Sequence, residues 1–278
     1  MKASEFGCSE AHELAITCAK TGWEIIDFTT LAQNESLCQT VLGVIRNSGF
    51  PKRMKISPKE AQWWQEYYLD NYNIAADFSE LQVPAPADYP TRLIVMHEAI
   101  ANKCNPIASV YKKRCVDKGF YWRQFNDNLD SVVTRHARSG TYAIRVRDTQ
   151  EAEFGNVNGE NLSSQQIWDR SIATTTLPER LIDGDTYLLK TGKHLDRKVI
   201  TLCAGSRTAS GNVPSVNFDS PSRKVSVSYW YPHYDCDYLR FRLEISRRKD
   251  YQSPFCVREL SHPLVIFEIS TACSASRR

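Results

Sequence analysis

The chain has 278 residues, of which 42% are hydrophobic and 24% are charged, and its formal net charge is +3. This composition excludes a disordered or collagen-like chain, because the apolar fraction is high and Gly and Pro number only 12 each. A charge of +3 indicates no particular partner. No window approaches the roughly 18 apolar residues that a membrane helix needs, and the amino-terminal residues lack the apolar core of a signal peptide. We therefore expect no membrane span and a cytoplasmic or virion-associated product.

The nine cysteines follow neither C-x-x-C nor zinc-ligand spacing. They stand at positions 8, 18, 38, 104, 115, 203, 236, 256 and 273. Because nine is odd, at least one thiol has no disulfide partner within the chain. The spacing favours free thiols in a reducing compartment over a metal or redox site, which would need cysteines and histidines to converge in space. We expect no metal and no cofactor.

The first 90 residues are predicted to form a mainly helical N-terminal region. Apolar residues recur at helical spacing in residues 11–20 and 31–46. Residues 83–90 contain three prolines, which favour an extended linker. A second domain is then expected over residues 91–278.

A helix start is predicted at Ser57, where the N-cap serine is followed by Pro58 and by Glu60 three residues after the cap. The helix that follows carries three aromatic residues on one face, which favours a core over a ligand platform. They are Trp64, Tyr67 and Tyr68.

From residue 91 onwards, strands and helices are mixed, and the predicted class is α+β with short mixed or antiparallel strands and flanking helices. Helices are expected over residues 99–114 and 177–189, the second ending at a Gly192 C-cap. Residues 154–164 are polar and are expected to form a loop. The predicted strands cover residues 93–96, 140–147, 199–203, 213–218, 224–230, 239–245 and 263–269.

Residues 203–242 have an unusual composition. They contain no Glu, Gln or Met, whereas the average of the whole chain predicts about four such residues. Ser, Tyr, Asp and Asn fill 16 of the positions, mostly in turns or on one side of alternating strands. This composition is typical of an adaptable binding surface, because Tyr supplies rigid contact area and Ser and Asn supply hydrogen bonds.

The genetic code offers one explanation for this composition. Codons that end in a pyrimidine cannot encode Glu, Gln, Lys, Met or Trp. Randomising the first two bases of such codons would yield Ser, Tyr, Asn, Asp, His, Cys, Thr and Phe. The alternative is an ordinary β domain rich in Ser and Tyr, and composition alone favours that alternative.

A series of short motifs resembles the target (variable) proteins of diversity-generating retroelements, which occur in bacteria, archaea and their viruses. The motifs occupy residues 140–148, 151–153, 161–163, 177–181, 191–196, 201–207, 211–214 and 239–242. The resemblance spans residues 120–246 and covers neither residues 1–90 nor the residues after Ser246. It implies a C-type lectin fold whose C-terminal part displays hypermutated residues to a protein or cell-surface ligand.

The resemblance also implies which positions vary. They are drawn from Thr208, Ala209, Asn212, Ser215, Asn217, Phe218, Asp219, Ser226, Ser228, Tyr229, Tyr231, His233, Tyr234, Cys236, Tyr238 and Phe241. The alternation in residues 226–231 suits such a role, because one face of a strand can vary while the other keeps its packing. Three arginines are expected to hold the fold through hydrogen bonds to loop carbonyls or carboxylates. They are Arg207, Arg240 and Arg242.

An enzyme is the first alternative, since the same fold hosts formylglycine-generating oxidases that use a converging cysteine pair. Cys203 and Cys236 are the cysteines of the lectin-like core, but Cys236 lies in the variable set, so we expect no enzymatic activity. Asp183 and Asp185 favour a solvated helix interruption over an acid–base or metal site. His194 favours a cation at a helix C-terminus over a general base.

Nucleic-acid binding is the second alternative. Basic clusters occur at residues 112–114, 223–224, 247–249 and 277–278, with aromatic residues near the first. Scattered clusters in a nearly neutral chain are more typical of solvated surfaces. The sequence therefore predicts a non-enzymatic binding protein.

Overall fold

The computed structural model describes residues 53–157 and 160–245, and in this part of the chain it is a mixed α+β protein. Its helices are α1 (Pro58–Tyr72), α2 (Cys104–Asp117), α3 (Leu129–Val132), α4 (Ser164–Asp169) and α5 (Leu177–Thr191). Its strands up to residue 161 are β1 (Arg53–Lys55), β2 (Gln82–Pro84), β3 (Thr91–Met96), β4 (Tyr121–Gln124), β5 (Val133–His136), β6 (Tyr142–Arg147), β7 (Asn156–Val157) and β8 (Glu160–Asn161). The later strands are β9 (Ile200–Leu202), β10 (Ser206–Thr208), β11 (Val213–Asp219), β12 (Lys224–Trp230) and β13 (Leu239–Arg240).

The largest sheet has five strands in the order β13-β9-β11-β12-β4. Strands β11 and β12 pair antiparallel along their whole length, with Ser215 opposite Ser228. The outer strands β4 and β13 pair in parallel with their neighbours. Because side chains alternate between the faces of a strand, Val216, Val225 and Val227 point together into the core.

Within the described residues, four further sheets have two strands each: β1 with β2, β3 with β6, β5 with β10, and β7 with β8. The β3–β6 pair is in register over six residues, from Thr91 opposite Arg147 to Met96 opposite Tyr142. The β7–β8 hairpin lies within residues 154–164, which we expected to be a loop. Among the described residues, no helix combines the length and apolar character needed to cross a membrane.

The predicted helix start at Ser57 and the predicted helix end at Gly192 are confirmed. Ser57 caps α1 by accepting a hydrogen bond from the Glu60 N–H at 3.3 Å. Thr176 and Glu179 form a reciprocal capping box at the start of α5, and Gly192 ends that helix with a φ of 70°. Helix α2 begins at Cys104, five residues later than predicted, because Lys103 is the last extended residue before it.

One hydrophobic core extends from Ile56 to Val227 and contains residues of α1, α2, α5, β3 and β12. Trp64, Tyr67 and Tyr68 are buried in it, as expected for a core face. Residues 56–83, which we assigned to a separate N-terminal region, therefore share a core with the second predicted domain. A smaller cluster around Leu202, Val213, Leu239 and Phe241 lies on the other face of the sheet.

Several predicted strands differ in extent. Residues 83–84, predicted as linker, belong to β2 and pair with β1. Only Leu239–Arg240 of the predicted 239–245 strand forms a ladder, and Phe241 and Leu243 continue it as isolated bridges. The predicted elements at 11–20, 31–46 and 263–269 lie outside the described residues.

Candidate ligand-binding surface

Four tyrosines at the end of β12 and in the loop after it are exposed, and we refer to these four residues together as the tyrosine surface. Tyr229, Tyr231, Tyr234 and Tyr238 are 43%, 70%, 45% and 42% exposed. Trp230 lies among them, half-buried. Exposed aromatic side chains grouped in this way are typical of sites where another molecule binds.

The strand β12 explains how this surface is separated from the core. Val225 and Val227 are buried, whereas Ser226 is half-buried and Ser228 is exposed. The neighbouring strand β4 reaches only to Val227, opposite Gln124, so Tyr229 has a paired strand on one side only, where it lies opposite Pro214 of β11. Its ring packs against Phe125 with the centroids 5.1 Å apart.

The loop 231–238 folds back on β12 through aromatic contacts. Tyr234 stacks on Trp230 with the ring centroids 5.0 Å apart, and Tyr238 meets the same indole edge-on at 6.0 Å. A hydrogen bond with the Cys236 side chain raises the pKa of Tyr238 to about 12. The Tyr238 phenol is therefore protonated at neutral pH, and its oxygen can accept a hydrogen bond from a ligand.

The same loop is fixed by hydrogen bonds to three other elements. The Gln165 N–H of α4 donates to the Pro232 carbonyl at 2.9 Å, and the Asn161 side chain of β8 donates to Asp237 at 2.6 Å. At the loop's end, the Ile200 N–H donates to the Tyr238 carbonyl at 2.8 Å. A loop held at several points presents its side chains with little loss of entropy on binding.

The predicted variable positions that lie outside the loop and are not buried fall into two groups. Ala209 is exposed and Asn212 is half-buried in the turn between β10 and β11, where Gly211 has a φ of 86°. The others lie on β11 and β12 and are half-buried or exposed. They are Asn217, Asp219, Ser226 and Ser228. His233 is exposed and Cys236 is half-buried in the loop.

Four residues of the predicted variable set are buried and contribute to the structure of the core. Thr208 accepts the Asn212 N–H at 3.0 Å and so closes the turn after β10. Ser215 lies at the centre of the sheet, between β9 and β12. Phe218 stacks on a histidine in the main core, and Phe241 is fully buried in the smaller cluster. We therefore leave these four out of the binding surface.

His194 is that histidine, and the prediction that it is a cation at a helix end is wrong. Its ring is buried and stacks on Phe218 with the centroids 4.1 Å apart and an interplanar angle of 9°. Burial, together with the nearby charge of Arg180, lowers the pKa of His194 to about 4. The imidazole is therefore neutral at pH 7 and is a packing residue of the core.

We expected Asp183 and Asp185 to be solvated, and this prediction is wrong. Both side chains are fully buried on α5. The Asp183 carboxylate accepts two hydrogen bonds from Arg92, both at 2.9 Å. Asp185 accepts hydrogen bonds from Arg114 at 2.6 Å and from the Tyr67 hydroxyl at 2.8 Å. Burial raises the pKa of Asp183, but Arg92 outweighs it, and the net pKa is lowered.

The predicted structural role of two arginines is confirmed. Arg242 donates to the carbonyls of Thr149 and Gln150 and, at 2.6 Å, to the Asp196 carboxylate. Arg240 donates to the carbonyl of Leu239 at 2.8 Å. Arg207 differs from these two arginines. Its guanidinium stacks on the Trp168 ring, and in the described part of the chain it makes none of the hydrogen bonds to carbonyl or carboxylate oxygens seen for Arg240 and Arg242.

The two cysteines considered for redox chemistry lie in different parts of the core. Cys203 is buried in the main core, where burial raises the pKa of its thiol well above the usual range. Cys236 packs against the smaller cluster. In residues 53–157 and 160–245, no group of three or more Cys, His, Asp or Glu side chains is arranged to hold a metal ion.

A groove that the sequence did not predict lies between α1, α5 and β3, with a volume of about 560 Å³. Trp63 and Tyr187 form part of its wall, and the Lys190 ammonium lies 3.6 Å from the Trp63 ring centroid. Five of the eight charged side chains that line the groove are already paired, since Arg92 holds both Asp183 and Asp148 and Arg145 contacts Glu60. The tyrosine surface, whose four side chains are at least 42% exposed, remains the better candidate. No protein-family model, no curated protein and no solved structure matches the chain.

Proposed function

We propose that the chain is a ligand-binding protein that displays a hypervariable surface on a C-type lectin-like scaffold and is diversified by a retroelement. The observation that carries the proposal is the division of residues 225–239 between two environments. Val225, Val227 and Leu239 are buried, while most of the predicted variable positions between them are exposed. Substitution at the exposed positions would leave the core packing intact.

The chemistry of the exposed side chains supports recognition of a protein or cell-surface ligand. Tyrosine buries a large area with few rotatable bonds, and its hydroxyl bonds to partners of many shapes. Ser228, exposed on β12, and Asn212, half-buried in the turn before β11, add short polar groups. The bonds that fix loop 231–238 supply a rigid frame, so binding costs little ordering of the loop.

The α+β class and the antiparallel β11–β12 pair, flanked by α2 and α5, are compatible with the lectin-like scaffold that the sequence motifs suggest. Two observations favour binding over the alternatives. Cys203 and Cys236 belong to different core clusters, whereas an oxidase would need them together. Arg114, part of the first basic cluster, is engaged by the buried Asp185 and is not free to bind nucleic acid.

The decisive test is to sequence the DNA around the gene. We expect a near-identical second copy of the stretch that encodes residues 203–242, beside a reverse transcriptase gene. The two copies should differ only where the second has adenine. The differing codons should include those of Tyr229, Tyr231, Tyr234 and Tyr238, and should spare those of Val225 and Val227. The absence of a second copy, or differences spread equally over buried codons, would refute the diversification proposal.

A further inference from the structure

Two arginines face each other across the small β5–β10 sheet. Arg207 lies directly opposite Arg135 in the antiparallel register. Directly opposed residues have Cβ atoms about 5 Å apart, and like charges at this spacing destabilise a sheet. Burial and the charge of Arg135 both lower the pKa of Arg207, which places the two guanidiniums within electrostatic reach. The pair therefore has an energetic cost.

No carboxylate offsets this cost in the described part of the chain. Neither Arg207 nor Arg135 takes part in an ion pair or donates a side-chain hydrogen bond there. The contrast with the more buried arginines is sharp, because each of those is held by at least one carboxylate. They are Arg92, Arg114, Arg138, Arg145, Arg180 and Arg242.

Trp168 holds Arg207 in this position. The guanidinium carbon of Arg207 lies 3.4 Å from the centroid of the Trp168 ring. The indole is itself fixed, because its Nε1–H donates to the Ala204 carbonyl at 2.7 Å. Helix α4, which carries Trp168, begins with a capping box at Ser163. Stacking on one face of the guanidinium leaves its N–H edge available for a ligand.

We propose that Arg207 and Arg135 form a binding site for a dianionic tetrahedral oxyanion: inorganic phosphate or sulfate, or the phosphate monoester group of a larger ligand. Two cations without a carboxylate between them match a group that carries about two negative charges at neutral pH. A carboxylate carries one charge and would neutralise the pair only in part. The site is independent of the tyrosine surface, since neither arginine belongs to it.

The test measures thermal unfolding of the full chain in sodium phosphate, sodium sulfate and sodium acetate at constant ionic strength. Phosphate or sulfate is expected to raise the Tm in a saturable manner, because a ligand that binds the folded state stabilises it, and acetate is not. The anion that acts at the lower concentration identifies the group. In Arg135→Ala, the apparent affinity should fall at least about tenfold.

The exposed Arg135 permits a clean variant, and its removal should leave the Tm without anion unchanged or slightly higher, because like-charge repulsion is relieved. Arg123→Ala is the matched control, since Arg123 is also exposed on a strand, and it should keep the wild-type response. The proposal is overturned if Arg135→Ala keeps the response, if Arg123→Ala loses it, or if acetate stabilises as strongly as the dianions.

Discussion

Asp196 is the most heavily bonded carboxylate in the described part of the chain. It accepts hydrogen bonds from Arg180 at 2.7 and 2.9 Å, from Arg242 at 2.6 Å, and from Thr201 and the Ala152 N–H. Burial raises its pKa, but Arg242 and Arg180 outweigh burial and lower it. The carboxylate is therefore ionised, and it pairs with two arginines that have almost no contact with water.

Replacement Asp196→Asn is expected to lower the free energy of unfolding by about 3–5 kcal/mol, because Arg180 and Arg242 would share a buried site without a full counter-charge. Asn tolerates the left-handed backbone that Asp196 adopts, with a φ of 55°, so the change tests charge and not conformation. Urea denaturation measures the effect. Asp70→Asn, at an exposed position of α1, is the control and should change stability by less than about 0.5 kcal/mol. A loss of similar size in both variants would contradict this account.

The position of helix α5 depends on Gly184 in its interior. A Cβ added at Gly184 would lie 2.7 Å from a guanidinium nitrogen of Arg180 and 2.8 Å from the Tyr111 ring. Both neighbours are buried, and Arg180 is fixed by Asp196, so neither can move away easily. Glycine is therefore needed here for the close contact of α5 with α2, although it weakens a helix.

Replacement Gly184→Ala is expected to destabilise the protein by about 1–2 kcal/mol, because overpacking outweighs the roughly 1 kcal/mol that alanine adds to a helix. Thermal or urea unfolding measures it. Ser109→Ala, at an exposed position of α2, is the matched control and should leave stability unchanged or slightly raised. If Gly184→Ala proved more stable than the wild type, the close contact with Tyr111 would not constrain the helix.

The sequence predicted the elements that local patterns determine and missed contacts between distant residues. The Ser57 helix start, the Gly192 helix end and the alternation in β12 depend on residues within a few positions of each other, and the structure has all three. Asp183 and Asp185 were misjudged because their partners lie 91 and 71 positions away. The Arg207–Arg135 pair was missed for the same reason, since register between β5 and β10 is not visible in either strand alone.

At the scale of the whole molecule, buried titratable groups make stability depend on pH. The pKa of His194 is lowered from 6.5 to about 4, and burial lowers that of His136 as well. Between these pH values the unfolded chain binds protons that the folded chain does not. Stability is therefore complete above about pH 6.5 and falls as the pH decreases towards 4. Below that, Asp183 and Asp196, whose pKa values are lowered, lose their stabilising charge.

The contribution of His194 can be isolated by His194→Phe. The free energy of unfolding of the wild type should fall by about 1.4 kcal/mol per pH unit for each proton taken up on unfolding, and the variant should lose one such proton. Urea denaturation at several pH values between 4 and 7 measures this slope. Phe218→Leu disturbs the same stack without removing a titratable group, so it should lower stability with an unchanged slope. An unchanged slope in His194→Phe would show that this imidazole does not govern the acid response.

The position of Arg242 near the end of the described residues has a consequence for synthesis of the protein. Asp196 receives one of its two arginines from there, Phe241 fills the smaller cluster, and Glu244 pairs with Arg138. While these residues are still inside the ribosome, the rest of the nascent chain exposes apolar surface that they would cover. The charges that they would pair, such as Asp196 and Arg138, also lack these partners. Folding of this region is therefore completed only after residue 244 emerges. A chain that stops before residue 239 would carry every tyrosine of the tyrosine surface without the frame that presents them.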